Sequence, residues 1–358
     1  MEILERIMNK LTDCNLIESV SFLSCTTQPS LNLPTIRLPS HFTPRQALPT
    51  QSRYHGSRYD IRKLLTCHFP SISSRDPSKL NLALLDMAPL YQKALVLGAS
   101  SGIGEALAAK LIATGTKVIV VGRRSDKLQE FVKKYGDDNA RAVVFDVTDL
   151  NGIKSFAESI TQSDPDLDSI VFSSGIQRGF DFTSPETLDL SVLGDELTTN
   201  YTSAVHLTAA FLPHLKEQPQ GHLIYVSATL GLIPSMIRTP NYNASKSALH
   251  TFILNVREQL KASGASHIRM IEVFPPAVQT ELHDEKHQPD LVNGGEIGMP
   301  LGEFTERMFN GLVKGDEQFA VGPGESLFKE DGFETQRMKL YEAGREFINK
   351  SLAKYLKK

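Results

Sequence analysis

Two patterns of apolar and polar residues divide this chain near residue 87. After it, short apolar runs of strand length alternate with longer stretches in which apolar residues recur every three or four positions. The runs fall at 94–97, 117–121, 142–147, 169–176, 221–227, 269–274 and 318–322. Helical periodicity fills 105–114, 197–215, 241–263 and 334–358. Apolar runs without polar alternation mark strands covered on both faces, and helices alternating with them predict a parallel sheet. The expected fold is therefore α/β: a doubly wound parallel sheet over 87–358, a single domain of Rossmann type.

Before residue 87 the pattern is lost. Residues 1–22 place Ile3, Leu4, Ile7, Met8 and Leu11 on one helical face. Residues 24–80 carry prolines at 29, 34, 39, 44, 49, 70 and 77, a density that breaks helices and ladders alike. Residues 1–86 are expected to form an irregular, largely disordered N-terminal extension. Arginines outnumber acids in 24–80, as in transit peptides, but Glu2, Glu5, Asp13 and Glu18 stand where such peptides avoid acids. Met87 is a natural start for the folded part.

Composition narrows the class. The chain has 358 residues, 41% hydrophobic content and a formal net charge of -3. That balance gives no reason to expect nucleic acid as a partner. No apolar run has the length of a bilayer span, so stable membrane insertion is not expected. Cys14, Cys25 and Cys67 all precede residue 87, leaving the body without thiols. A cytoplasmic location fits this usage.

Candidate chemistry begins at the first strand. Gly98-Ala99-Ser100-Ser101-Gly102-Ile103-Gly104 follows it at once, and a helix and a second strand come next. Strand, glycine-rich turn, helix and strand form the context in which such a turn cradles a pyrophosphate. Gly98 allows the tight turn, Gly102 the approach of a phosphate, and Gly104 the packing of helix on strand. Downstream, Tyr242 and Lys246 stand four apart in a helical stretch, on one face. An ammonium near a phenol favours the phenolate and draws its pKa toward neutrality, so Tyr242 is a candidate acid–base.

The Gly-x-x-x-Gly-x-Gly spacing with a later Tyr-x-x-x-Lys resembles the short-chain dehydrogenase/reductase family over about residues 90–325. The resemblance implies NAD(P)-dependent oxidoreduction of a C–OH or C=O group on a small-molecule substrate, in a homo-oligomer. It implies that Tyr242 exchanges the proton and that Lys246 lowers its pKa and bonds the nicotinamide ribose. Asn200 would hold a relay water, Asp146 and Val147 would sit beside the adenine, and Gly175 would approach the cofactor. Val278 and Thr280 would hold the carboxamide. Gly122-Arg123-Arg124 ends the second strand without an acid, which favours NADP (as NADPH) over NAD, Arg123 leading and Arg124 second.

Several positions depart from the family pattern. Phe172-Ser173-Ser174-Gly175 stands where the family has Asn-Asn-Ala-Gly, which is expected to weaken the sheet edge, and Pro276 replaces a glycine. The family's catalytic serine falls on Ala228 counting from the strand and on Thr229 counting back from Tyr242. Thr229, or Ser227 with a rotated strand end, would have to polarise the carbonyl. These departures keep a second reading open, a nucleotide-binding scaffold or regulator with little turnover. Residues 281–300 are expected to be a mobile cover over an apolar substrate. His283 and His287 lie four apart without an evident third ligand, so no metal is expected and both are read as exposed.

Overall fold

The computed structural model describes residues 89–356. The extension 1–86 and Met87 lie outside the described residues. Seven strands pair in parallel: β1 Lys93–Leu97, β2 Lys117–Gly122, β3 Ala140–Val144, β4 Ser169–Phe172, β5 Gly221–Val226, β6 Ile268–Phe274 and β7 Gln318–Ala320. Their order is β3-β2-β1-β4-β5-β6-β7. The order reverses between β1 and β4, and a crevice opens there beyond the carboxyl ends of the strands.

Side chains alternate across the sheet, so each strand serves two cores. Val96, Val120, Ile224 and Ile271 face one layer. That layer contains α1 Gly102–Ala113, α2 Ser125–Tyr135 and α7 Leu301–Lys314, through Leu107, Phe131 and Phe304. Leu95, Leu97, Ile119 and Tyr225 face the other layer. It contains α3 Ile153–Ser163, α5 Ser203–Glu217 and α6 Pro240–Ala262, through Phe156, Phe211 and Ile253. Both faces are covered, which explains the unbroken apolar runs in the sequence.

Three elements differ from expectation. The third strand ends at Val144, because its pairing with β2 closes at Gly122↔Val144. Phe145 then leaves the sheet and stacks on Phe156, while Asp146 accepts hydrogen bonds from the amide and hydroxyl of Thr148. The run expected as one helix from 197 is three pieces: α4 Leu190–Leu197, a π turn Thr198–Thr202, and α5. The last helix, α8 Phe333–Leu352, docks on α6 through a Tyr341–Leu254 carbonyl bond of 3.3 Å and an Arg345–Glu258 ion pair. No helix among the described residues is long and apolar enough to cross a membrane.

The expected weakness at 172–174 is not found. β4 is the middle strand of the sheet, and the Phe172 ring stacks on Tyr225 at 4.4 Å and 7°. Tyr225 in turn shares a 2.8 Å hydrogen bond with Thr208. An aromatic stack between adjacent strands here replaces a bracing amide. Phe172→Ala is therefore expected to cost about 3–5 kcal/mol, the range for a buried Phe. Urea denaturation measures it, and a loss below about 1 kcal/mol would refute the bracing role.

Candidate active site

The glycine turn and the exit of β4 meet first. Gly98 has φ +79°, and a Cβ there would lie 2.6 Å from the Ser174 amide nitrogen. A Cβ on Gly104 would sit on the Gly98 carbonyl oxygen. Absence of both side chains lets α1 press onto the turn and lets the turn touch β4. The first helix has no side-chain cap at Ser101, and Gly102 and Ile103 border the cleft. N–H groups of an uncapped first turn suit an anion. The cleft has a volume of about 540 Å³, within the range of cofactor and ligand sites.

The arginines lie at one end of this cleft. Arg124 folds back over the turn, bonding Ser100 Oγ at 3.1 Å, Ser101 Oγ at 2.6 Å and Glu281 at 2.8 Å. Arg123 keeps 69% of its side chain exposed, 3.8 Å from Asp146. Val147 is buried beside them. Thr280 packs its methyl toward Gly102, and its hydroxyl donates to the Val278 carbonyl at 3.3 Å. Val278 is buried and bridges to Met299.

The other end holds Tyr242 and Lys246, one turn apart on α6 and only 6% and 4% exposed. Lys246 Nζ donates to the Val226 carbonyl at the end of β5, 2.9 Å away, and lies 5.6 Å from the Tyr242 ring centre. Two cross-links hold this corner. In one, Asn200 accepts from the Ile176 amide at 2.9 Å, donates to the Ile176 carbonyl at 2.9 Å, and donates to Ser245 Oγ at 3.1 Å. In the other, Glu196 accepts from the Arg178 amide at 2.8 Å and from Asn241 Nδ2 at 2.7 Å. Each ties the β4 exit to the α4–π segment and to α6. The second is absent from the sequence reading, although Glu196 precedes Asn200 by four residues, the spacing that puts both on one helical face.

Titration behaviour differs from expectation. Burial pushes the Tyr242 phenol up, and the Glu196 carboxylate adds to that. Burial pulls the Lys246 ammonium down to about 8, against the opposing influence of Glu272 and Glu196. Glu196 is raised, chiefly by burial. The expected lowering of Tyr242 by Lys246 is thus corrected: the ammonium is directed at Val226, and burial dominates at the phenol. Tyr242 is thus held in its neutral phenol form.

The three residues after β5 also separate. Ala228 is extended, buried and has no donor. The Thr229 hydroxyl donates to the Pro275 carbonyl at 3.3 Å, and its methyl lies against Gly324. Thr229 therefore does not direct its proton at the phenol, contrary to expectation. Ser227 Oγ is buried, borders the cleft and has no hydrogen-bond partner among the described residues. Gly231 packs on the Lys246 backbone and its carbonyl accepts from Ser247 at 2.7 Å, which fixes the turn after Thr229 against α6.

Residues 281–300 form a tied cover. His283 and Gln288 are buried, at 5% and 1% exposure. Gln288 donates to Gln177 at 3.1 Å and to the Leu282 carbonyl at 2.8 Å, and Arg238 closes on both Gln288 and Asp290. His283 is thus not exposed as expected; burial, and then Arg238, hold its pKa low. His287 pairs with Asp284 at 2.6 Å. No metal-binding cluster occurs among the described residues.

Comparison with known proteins agrees with this geometry. The sequence pattern of the family described as short chain dehydrogenase matches residues 92–290. An uncharacterized oxidoreductase of Bacillus subtilis, DltE, is 33% identical over 224 residues, covering 63% of this chain and 85% of the relative. A dehydrogenase/reductase family protein 7-like of Dictyostelium discoideum is 32% identical over 217 residues, or 59% and 65% of the two chains. Among solved structures, the closed form of a serine dehydrogenase complexed with NADP+ superposes with TM-score 0.56 at 25% identity, over 64% of this chain and 94% of that one. An alcohol dehydrogenase from the archaeon Thermococcus sibiricus, complexed with 5-hydroxy-NADP, shares the fold with TM-score 0.55 at 20% identity, over 64% and 96%.

The buried ammonium makes a testable statement about pH. Its folded pKa, about 8, lies below the ordinary value of 10.5. Between those values the unfolded chain binds the extra proton, so the Lys246 contribution to stability rises with pH across that window. Below about pH 8 the group is charged in both states and its burial cost is fully present. Wild type should gain stability relative to Lys246→Met as pH rises from 8 to 10.5, measured by denaturant titration. A pH-independent difference would refute the assignment.

Proposed function

The chain belongs to the short-chain dehydrogenase family, and from that premise we propose that it is an NADP-dependent oxidoreductase acting on a carbonyl or alcohol carbon of a small molecule. The observation that carries this reading is the meeting, in one cleft, of the glycine turn with Tyr242, Lys246 and Asn200. A nicotinamide cofactor, when bound, supplies or accepts the hydride. The glycine turn fits such a group, because Cβ atoms at Gly98 and Gly104 would close the cradle.

In reduction Tyr242 gives its proton to the carbonyl oxygen, which suits a phenol that burial keeps neutral. Lys246 orients the nicotinamide ribose, and Asn200 fixes the Ile176 carbonyl on the proton path. Ser227 polarises the carbonyl in place of the absent serine, since its hydroxyl is the one of the three neighbours without another partner among the described residues. Val278 and Thr280 flank the nicotinamide, and Asp146 and Val147 the adenine. Arg123, with Arg124 behind it, receives a 2′-phosphate, and the NADP+ complex of the serine dehydrogenase supports that choice. The exposed apolar residues Leu340, Phe347 and Leu352 of α8 suit the expected homo-oligomer, and the reading keeps the cytoplasm as the place of action.

Ala228 favours a second reading, a nucleotide-binding scaffold with little turnover. NADPH consumption against a panel of carbonyl compounds separates the two. Tyr242→Phe should lower turnover roughly 10²–10⁴-fold while NADPH still binds. Ser227→Ala should cost on the order of 10²-fold and Thr229→Val little. NADPH that binds but is not consumed with any carbonyl compound of the panel would leave the scaffold reading standing, and turnover indifferent to Tyr242→Phe would overturn the role given to Tyr242. Arg123→Ala should weaken NADPH roughly tenfold or more and leave NADH nearly untouched, and equal losses would overturn the NADP preference.

A further inference from the structure

Charge is distributed unevenly along the cleft. Five cationic side chains line it, Arg123, Arg124, Arg178, Lys246 and Lys286, against two carboxylates, Asp146 and Glu281. Both carboxylates stand at the nucleotide end, Asp146 facing Arg123 at 3.8 Å and Glu281 facing Arg124 at 2.8 Å. Lys246 is directed at Val226, with Glu196 and Glu272 as its nearest opposing charges. His287 pairs with Asp284, and burial, then Arg238, hold the His283 pKa low. The substrate end is left with a cationic excess, and its half-buried member is Arg178.

Arg178 is also fixed in place. Its amide donates to Glu196 Oε1 at 2.8 Å, and Glu196 Oε2 accepts from Asn241, the residue before Tyr242. The guanidinium makes one hydrogen bond among the described residues, from Nη1 to the Gln177 carbonyl at 2.8 Å. No carboxylate lies within ion-pair distance of it among those residues; Glu196 influences it only from farther away. The neighbouring arginine is different. Arg238 crosses over Gly179 and is closed by Gln288 and Asp290. The cleft is also lined by the apolar side chains of Leu230, Met236 and Leu282. A planar guanidinium with donors remaining, on a partly dry wall, matches a carboxylate in shape and charge.

We infer that the substrate is a small oxo acid or hydroxy acid whose carboxylate is bound by Arg178, its reacting carbon lying toward Tyr242. The inference rests on the oxidoreductase reading of the same cleft. In reduction the C=O carbon gains hydride from NADPH, the oxygen gains the Tyr242 proton, and NADPH becomes NADP+. The carboxylate is unchanged, and solvent returns the proton to Tyr242. This departs from the apolar substrate expected from the sequence: the apolar lining takes the carbon chain, and the charge selects the acid.

The test uses the full chain with matched pairs, 3-oxo and 3-hydroxy acids of increasing length against their methyl esters. Wild type should favour acid over ester in kcat/KM by roughly 10²-fold, since a polar site rejects analogues that leave its groups unpaired. Arg178→Met should bring that ratio close to one, mainly through KM for the acid, and Arg178→Lys should restore part of it. Retained NADPH binding shows that the variants are folded, and the wild-type ratio stands as a test without them. Esters or neutral ketones turned over as well as acids would overturn the carboxylate inference while leaving the oxidoreductase reading intact. No NADPH consumption with acids, esters, ketones or aldehydes would instead overturn the oxidoreductase reading.

Discussion

An ammonium held almost entirely out of water sets the terms for the centre of this protein. Lys246 is 4% exposed, and its one short polar contact among the described residues is the Val226 carbonyl at 2.9 Å. A buried charge is tolerable only with hydrogen bonding and opposing charge close by. Glu196 and Glu272 supply the opposing charge from two different elements. The space around the group is equally constrained. A Cβ on Gly175 would lie 3.8 Å from Nζ, and one on Gly231 would lie 2.9 Å from the Lys246 carbonyl carbon. The turn after β5 is therefore shaped by close packing on the α6 backbone at Lys246, while the turn after β4 makes ordinary contact with the ammonium.

The π turn at Thr198–Thr202 belongs to the same arrangement. It lies between two regular helices, where its wider turn shifts the phase of α5 relative to α4, and such turns often occur at functional sites. Asn200, inside it, reaches both Ile176 and Ser245, while Glu196, before it, reaches Arg178 and Asn241. Two polar side chains four residues apart thus span three elements. Each is buried and each is satisfied, the condition under which buried polar groups fix one geometry. Tyr242 sits between their two contacts on α6 and inherits its position from them.

Polarity at the cleft is divided along its length. At the nucleotide end each arginine faces a carboxylate and Arg124 is laced to Ser100 and Ser101, so the wall is ordered before any ligand arrives. At the other end the cover at 281–300 is tied by Gln288 to Gln177 and by Arg238 to Asp290. Tyr242, Ser227 and Arg178 line the cleft, Ser227 Oγ without a hydrogen-bond partner among the described residues and the Arg178 guanidinium with one.

The sequence by itself determined the parallel sheet and the glycine turn and put Tyr242 and Lys246 on one helical face, because each depends on short apolar runs, short spacings or a period of 3.6 residues, whereas Asn200 came from the family resemblance. It also located the arginines after β2, whose place is set by the strand end alone. Strand and helix limits shifted where partners decided them, as at Val144 and at the π turn. The tertiary structure alone decided which hydroxyl after β5 is uncommitted, since the Thr229 bond goes to Pro275, 46 residues away. It joined Glu196 to Arg178 beside the cleft, and buried His283 within a cover held by a contact spanning 111 residues. It also reversed the expected direction at Tyr242. Local spacing places an ammonium one turn from the phenol, but burial and the direction of the ammonium depend on β5 and α4, which no local pattern encodes.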